Sequence, residues 1–507
     1  MNPIHHIKSF LFVRPIMFLT VCVAIWTWPA FALDGQVQMH DPSTIIQCDG
    51  KFYTYGTGTS GLVSDDGWTW RRSVAPKTAS GAARGVAPDV IHIGDRYYLY
   101  YAANTGPQPK AAVYMLWNKT LDPNSPDFKW EEGGTVASSD GVEFCNAIDP
   151  GLFLDPTDGK LWLVYGSYFG YIRLVQLDLK TGKRVDPNDK PVDIAINCEA
   201  SDMIYHQGWY YLLATHGSCC RGADSGYNIR VGRARKVTGP FLDHTGRDML
   251  KGGGKLFVGS GGRVIGPGHF GLLDLGDGVQ KLSCHYEADL DRGGASVLDI
   301  RPVLWKDGWP VAGNNFQEGT YEIESARTGT ALELAVEGMP VGGRRSMGMR
   351  GAGPGQRGGG GGGMFGGVGG VISPQDVALV STNWPAGNVD IRMANYLCQA
   401  QQKWTVTPVP IGDGYPGSPY FKITVAGTSR TLAATEEGEL VALPTFTGGP
   451  EQLWRIDQLT DGTWRIMAWA VPNSKDSLAL SAIGSSFATL AKFDPAGDRQ
   501  RWLFKTP

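Results

Sequence analysis

Three things are scarce in this sequence. None of its 8 cysteines falls in a Cys-x-x-Cys pair, so the commonest zinc-ribbon and zinc-finger spacings are excluded. Charge of either sign is nearly balanced, with a formal net charge of -3, which argues against electrostatic capture by nucleic acid or by an acidic membrane surface. After residue 32 no apolar run reaches bilayer-spanning length without charges, which leaves no transmembrane segment to expect in the mature chain. Long amphipathic helical patterns are also hard to find before residue 315.

The one strongly apolar run lies at the start. Lys8 and Arg14 precede the stretch from Ile16 to Trp28, and Ala30-Phe31-Ala32 offers small residues at cleavage positions. That is the order of a secretory signal peptide spanning residues 1–32, with the mature chain starting near Leu33 and a secreted or periplasmic location. Export permits disulfides, but the seven cysteines left after Cys22 are sparse and odd in number. Adjacent Cys219 and Cys220 are not expected to bridge each other, because ordinary disulfide geometry needs more widely spaced Cα atoms.

Between residues 38 and 313 one pattern recurs: an acidic or polar cluster, a Gly/Asp turn, then an aromatic and β-branched strand. "HDPSTIIQCDGKFYTYGTG" is followed by "APDVIHIGDRYYLYYA", "IDPGLFLDPTDGKLWLVYGS", "CEASDMIYHQGWYYLLATH" and a fainter "GPGHFGLLDLGDGVQKLSCHYEAD". Their leading positions are Asp41, Asp89, Asp149, Glu199 and His269, separated by roughly 50 to 70 residues. Repeats of that length built from short strands and turns predict propeller blades, and five of them predict a five-bladed β-propeller. Each Asp near Pro or Gly taken singly reads as a turn residue. Caps, however, have no reason to recur in phase, whereas blades bring equivalent positions together at one channel mouth.

The motifs "HDP", "IDP" with "LWLVYGSYFGYI", "CEAS", "CCRGADSGYNI", "GPGH" and "LDIRPVLWKDGWPV" together resemble the arabinanases of glycoside hydrolase family 43. The resemblance implies Asp41 as the general base that activates water, Asp149 as the residue that tunes and orients the acid, and Glu199 as the general acid of an inverting reaction. It also implies a calcium ion in the central channel beside His269. Calcium prefers oxygen ligands, so most of its shell would be water. Departures bear on specificity: Gly85-Val86 replaces an aromatic before "APD", Ser201 stands where Pro is usual, Phe270 follows "GPGH", and "CHYEAD" replaces a run of aromatics. Cys219-Cys220-Arg221-Gly222 is expected as a buried blade turn with Arg221 paired locally.

After "GWPVAGNNFQEG" the pattern changes. Gln402-Lys403-Trp404, Gln452-Leu453-Trp454 and Gln500-Arg501-Trp502 repeat at about 50 residues, each closing a segment with a "YEI", "FKI" or "WRI" strand. Three such lobes resemble the ricin-type β-trefoil. The acid that many such lectins carry after the second-strand leucine matches Glu333, Ala433 and Ala479, so only the first lobe retains one. The glycine-rich stretch 341–371 reads as a flexible insertion in that lobe.

The expectation is therefore an all-β chain: signal peptide 1–32, a five-bladed β-propeller at 33–315, and a β-trefoil at 316–507. The implied activity is cleavage of α-1,5-L-arabinofuranosidic bonds within arabinan or a related plant cell-wall polysaccharide, with carbohydrate binding by the trefoil. The same residues leave open an exo-acting α-L-arabinofuranosidase or β-xylosidase, and a catalytically silent polysaccharide-binding protein.

Overall fold

The computed structural model describes residues 33–58, 60–74, 76, 85–104, 111–139, 146–336, 385–410 and 413–507. The proposed signal peptide, Cys145 and the glycine-rich stretch 341–371 lie outside them. Among the described residues there are strands and short 3-10 turns but no α-helix.

Five antiparallel sheets form the first half, each with its strands in chain order. Blade one comprises Ile46–Cys48, Lys51–Gly56, Ser60–Ser64 and Thr69–Ser73, with Asp34–Gly35 added in parallel at its outer edge. Blades two, three and four begin with Val86–Ile93, Gly151–Leu154 and Glu199–His206, and blade five runs from Val264–Asp274 to Trp309–Ala312. The aromatic runs seen in sequence supply the packing between sheets. Tyr98, Tyr100, Leu161 and Leu163 are buried between blades two and three, and Tyr211, Leu213, Leu282 and Val303 between blades four and five.

The first strand of each blade lies innermost, and these strands approach closely. A Cβ on Gly151 of blade three would lie 2.3 Å from the Ser201 carbonyl oxygen of blade four. One on Gly271 of blade five would lie 2.8 Å from the Thr44 Cα of blade one. Only glycine fits at either contact. The ring closes where Val37–Met39 meets blade five, through Met39 N–H to Ser296 O and Leu298 N–H to Val37 O at 3.1 and 2.9 Å.

From Gly319 onward the strands, apart from the separate Gly414–Tyr415 and Ser418–Pro419 pair, belong to a second, interconnected sheet system around its own core of Trp404, Phe421, Trp454, Ile466 and Trp502. Its threefold repeat is visible in the hydrogen bonds. The indole N–H groups of Trp404, Trp454 and Trp502 donate to the carbonyls of Leu332, Leu432 and Leu480. The side-chain amides of Gln402, Gln452 and Gln500 donate to backbone carbonyls of Asn395, Thr445 and Ala491. The expected five-bladed β-propeller followed by a β-trefoil is thus the observed fold.

The trefoil register corrects one expectation. The equivalent leucines are Leu332, Leu432 and Leu480, so the third-lobe residue after the leucine is Ser481 rather than Ala479. Glu333 is also not a surface acid. It is fully buried, accepting from Arg392 Nε at 2.7 Å and Gln402 Nε2 at 2.9 Å.

Two units meet across a polar, buried seam. Lys281 of blade five is 2% exposed and lies 3.9 Å from Asp457 of the trefoil, which Arg455 and Arg465 also contact at 2.6 and 2.8 Å. Backbone bonds join Trp305 to Thr460, Thr460 to Gly278, and Gly417 to Gly67.

Candidate active site

Each blade carries a left-handed residue within or shortly before its innermost strand: Asp41, Ala87, Asp149, Ala200 and His269, with φ of 51, 45, 50, 50 and 55°. Side chains other than glycine rarely take this conformation, and its recurrence turns each blade's leading residue toward the axis. The repeat phase read from sequence is therefore shifted at two blades. Asp89 lies two residues beyond the left-handed position of its blade, and Glu199 lies one residue before that of its own.

Asp89 has a different task as a result. It is 5% exposed, and its two carboxylate oxygens accept from Thr44 N–H of blade one at 3.0 Å and Leu152 N–H of blade three at 2.8 Å. That carboxylate ties three adjacent inner strands together beneath the site.

Asp41, Asp149, Glu199 and His269 converge on the axis. His269 Nδ1 lies 3.0 Å from Asp41 Oδ1, and the backbone N–H of Ala200 donates to Asp149 Oδ2 at 3.1 Å. Burial alone would raise the Asp41 carboxyl, but the charge and hydrogen bond of His269, with smaller pulls from the other histidines beside it, outweigh it and hold the group well below the usual carboxylate range. Asp149 moves the other way. Burial and the negative charges of Glu199 and Asp41 push it up to about 8 against the pull of His269. Glu199 is likewise raised, by burial first and by the surrounding carboxylates, while the Tyr227 hydrogen bond and His269 oppose the rise. Burial opposes a charge on His269, yet the three acids raise it to about 9. The cluster thus contains one acid kept ionised, one pushed up to about 8 and a third raised above its ordinary range, a separation of the kind acid/base chemistry uses.

Several partners were not singled out in the sequence. Thr57 Oγ1 donates to Asp41 Oδ2, and the Asp41 backbone N–H donates to His285 Nδ1 at 3.1 Å. Tyr227 donates its hydroxyl to Glu199 Oε1. His285 and Glu287 lie in "CHYEAD" and Tyr227 in "SGYNI", so the motifs contained the signal without marking which member reaches the acids.

Corrections also arise at the Cys-Cys turn. Cys219 and Cys220 are bonded to each other, with Cα atoms 3.8 Å apart. The chain turns between Gly217 and Gly222, and left-handed Cys220 (φ 64°) brings both sulfurs to one side. The turn is not buried: Cys220 and Arg221 are exposed. It stands at the mouth, with both sulfurs about 4 Å from His40 Nε2, at 4.0 and 3.9 Å.

A propeller whose axis gathers three carboxyl groups beside a histidine has what a glycoside hydrolase uses, a carboxylic acid opposite a carboxylate. Comparison with known proteins agrees. Residues 38–310 match Glycosyl hydrolases family 43, and the chain belongs to that family. Residues 400–490 match the ricin-type beta-trefoil lectin domain-like family. An extracellular exo-alpha-(1->5)-L-arabinofuranosidase of Cellvibrio japonicus is 33% identical over 304 residues, 54% of this chain and 86% of the relative. An extracellular endo-alpha-(1->5)-L-arabinanase of Bacillus subtilis is 31% identical over 294 residues, 54% and 87% respectively. Among solved structures, an exo-1,5-alpha-L-arabinanase from a bovine ruminal metagenomic library is 33% identical, with a TM-score of 0.51, covering 56% of this chain and all of that one.

Proposed function

We propose that this chain is a secreted, inverting hydrolase of α-1,5-linked L-arabinofuranose in arabinan, cleaving internally. The observation that carries the reading is the convergence of Asp41, Asp149 and Glu199 on one histidine at the propeller axis. Relatives on the same propeller are named as endo- and exo-acting on this linkage, and two of them are named extracellular. Asp41, kept ionised, accepts a proton from the attacking water. Glu199, whose pKa is raised by burial and neighbouring charge, protonates the leaving glycosidic oxygen. Asp149 stands in the same cluster as Glu199, so that ionisation of either opposes ionisation of the other, and it fixes the backbone at Ala200 by accepting its N–H. Inversion follows if water attacks from the face opposite the leaving oxygen.

The channel residues fit a cation with a mostly aqueous shell. His269 Nε2 is buried without a protein hydrogen-bond partner, so it would be the protein ligand to a calcium ion whose remaining donors are water oxygens, provided the ion displaces the proton that the three acids favour on the ring. Such an ion would supply positive charge near the acids. The trefoil is proposed to bind carbohydrate at a surface other than the Glu333 position, whose carboxylate is occupied internally.

A panel of linear arabinan, branched arabinan and aryl glycosides tests the reading. Early release of oligosaccharides from linear arabinan is expected; arabinose or xylose alone would indicate chain-end attack. If wild type and Glu199→Ala release reducing ends equally poorly, the hydrolase assignment fails. Following the anomer of the first product by NMR tests inversion, and loss of activity on chelation with recovery in calcium tests the cation.

A further inference from the structure

We infer that the Cys219–Cys220 turn is a latent binding site for a thiophilic divalent cation such as Zn²⁺, closed while the disulfide is intact and opened when it is reduced. The donors are Cys219, Cys220, His40 and Glu287, whose ligand atoms all lie within 4.8 Å of one another. Two thiolates, one imidazole and one carboxylate form a donor set suited to tetrahedral zinc.

The geometry is close to what such a site needs. Both sulfurs already lie 4.0 and 3.9 Å from His40 Nε2, against about 3.6 Å between sulfur and nitrogen ligands of one tetrahedral zinc. Glu287 is 5% exposed and is anchored beside the turn by the backbone N–H of Cys220. Ser296 Oγ and Glu287 Oε1 lie 3.4 and 3.7 Å from His40 Nδ1, which leaves Nε2 toward the sulfurs and Asp41; Glu287 would have to swing from the Nδ1 side of the ring to complete the shell. The required movement is separation of the two sulfurs, and the chain can supply it. Gly222 stands at one end of the turn with open space where a side chain would be, and Cys220 is exposed to a reductant.

The chemistry balances. A phosphine reductant and water convert the disulfide to two thiols and are themselves consumed as phosphine oxide. Zinc then binds the two sulfurs as thiolates and releases two protons. In the oxidised form neither sulfur carries an ionisable proton, so the site has only His40 and Glu287 and does not hold the ion.

Occupation has a consequence for the neighbouring acid. His40 Nε2 lies 3.4 Å from Asp41 Oδ1, and a metal on that nitrogen withdraws it from the carboxylate. Hydrolysis by the reduced chain is therefore expected to be zinc-sensitive. This second consequence rests on the proposed role of Asp41; the binding itself does not.

The test uses the full chain with Co²⁺ as an optical probe. Native alkylation and mass spectrometry after phosphine treatment first count the thiols released at 219 and 220. Expected are one equivalent of Co²⁺ bound to reduced protein with sulfur-to-cobalt charge-transfer absorption and intense tetrahedral bands, none to oxidised protein, and displacement by Zn²⁺. Cys220→Ser removes a direct ligand and is expected to weaken cobalt binding by at least the roughly 10- to 100-fold that loss of a second-shell partner causes. Cys398→Ser, which removes the other exposed described cysteine, is expected to bind as wild type. A disulfide that resists reduction in the folded chain, equal uptake by oxidised and reduced protein, or uptake abolished by Cys398→Ser and spared by Cys220→Ser each overturns the proposal. Cobalt bound with no change in hydrolysis would leave the site standing and remove its link to Asp41.

Discussion

Tyr227 and Glu199 form the contact on which the acid's proton depends most directly. A hydrogen bond donated to a carboxylate favours its ionised form, so Tyr227→Phe should raise the Glu199 pKa and move the alkaline limb of kcat/KM to higher pH, by roughly one pH unit. Asp149→Asn should do the reverse. Asparagine cannot take on the negative charge that Asp149 acquires when it ionises, so ionisation of Glu199 is opposed less and the alkaline limb falls to lower pH while kcat also drops. Glu199→Gln is expected to cost about 10²- to 10⁴-fold on arabinan and far less on an aryl arabinofuranoside whose phenolate leaves without a proton. Steady-state profiles on both substrates read all three. At this scale the sequence exposed the acids, because Asp41, Asp149 and Glu199 stand in distinctive motifs. It did not expose Thr57, Tyr227 or His285, which reach the acids only through strand pairing that short motifs do not encode.

In blades two, four and five the inner strand carries its left-handed residue at a bulge, and a position beyond it faces the next blade. Asp89 occupies that facing position, and its carboxylate satisfies backbone groups of two neighbouring blades. Asp89→Asn keeps one acceptor and loses the other, leaving a buried N–H unpaired at about 1–3 kcal/mol. A lower unfolding midpoint is expected, with a smaller effect on the pH profile than Asp149→Asn produces. The five-strand pattern was legible as a period, since turn and aromatic residues repeat with it. Its phase was not, because the left-handed position is held by alanine in blades two and four and alanine carries no compositional mark. The trefoil shows the same limit: Gln-x-Trp identified the lobes, while the third-lobe residue slipped from Ser481 to Ala479 because "LALS" offers two leucines.

Between the two units, one buried carboxylate is shared by three basic side chains. Burial would raise Asp457, but Arg455, Lys281 and Arg465 hold it well below its ordinary range. Its contribution to stability is accordingly complete above the unfolded carboxyl's pKa and is lost as pH falls through the lower folded value. Asp457→Ala leaves buried cations unpaired, a change that costs about 3–5 kcal/mol, and thermal or urea unfolding at neutral pH should register it. Nothing in the sequence announced this seam, since Lys281 and Asp457 lie in different repeats and neither belongs to a motif. The trefoil bonds to blade one at Gly67 and to blade five at Gly278 and Trp305, the two blades that meet where the circle of sheets is completed. Hydrolase and lectin-like parts are thus fastened as a lock is to its hasp: calorimetry of the whole chain should give a single endotherm instead of two, and prising the C-terminal half away should loosen the very join that keeps the acids facing one another.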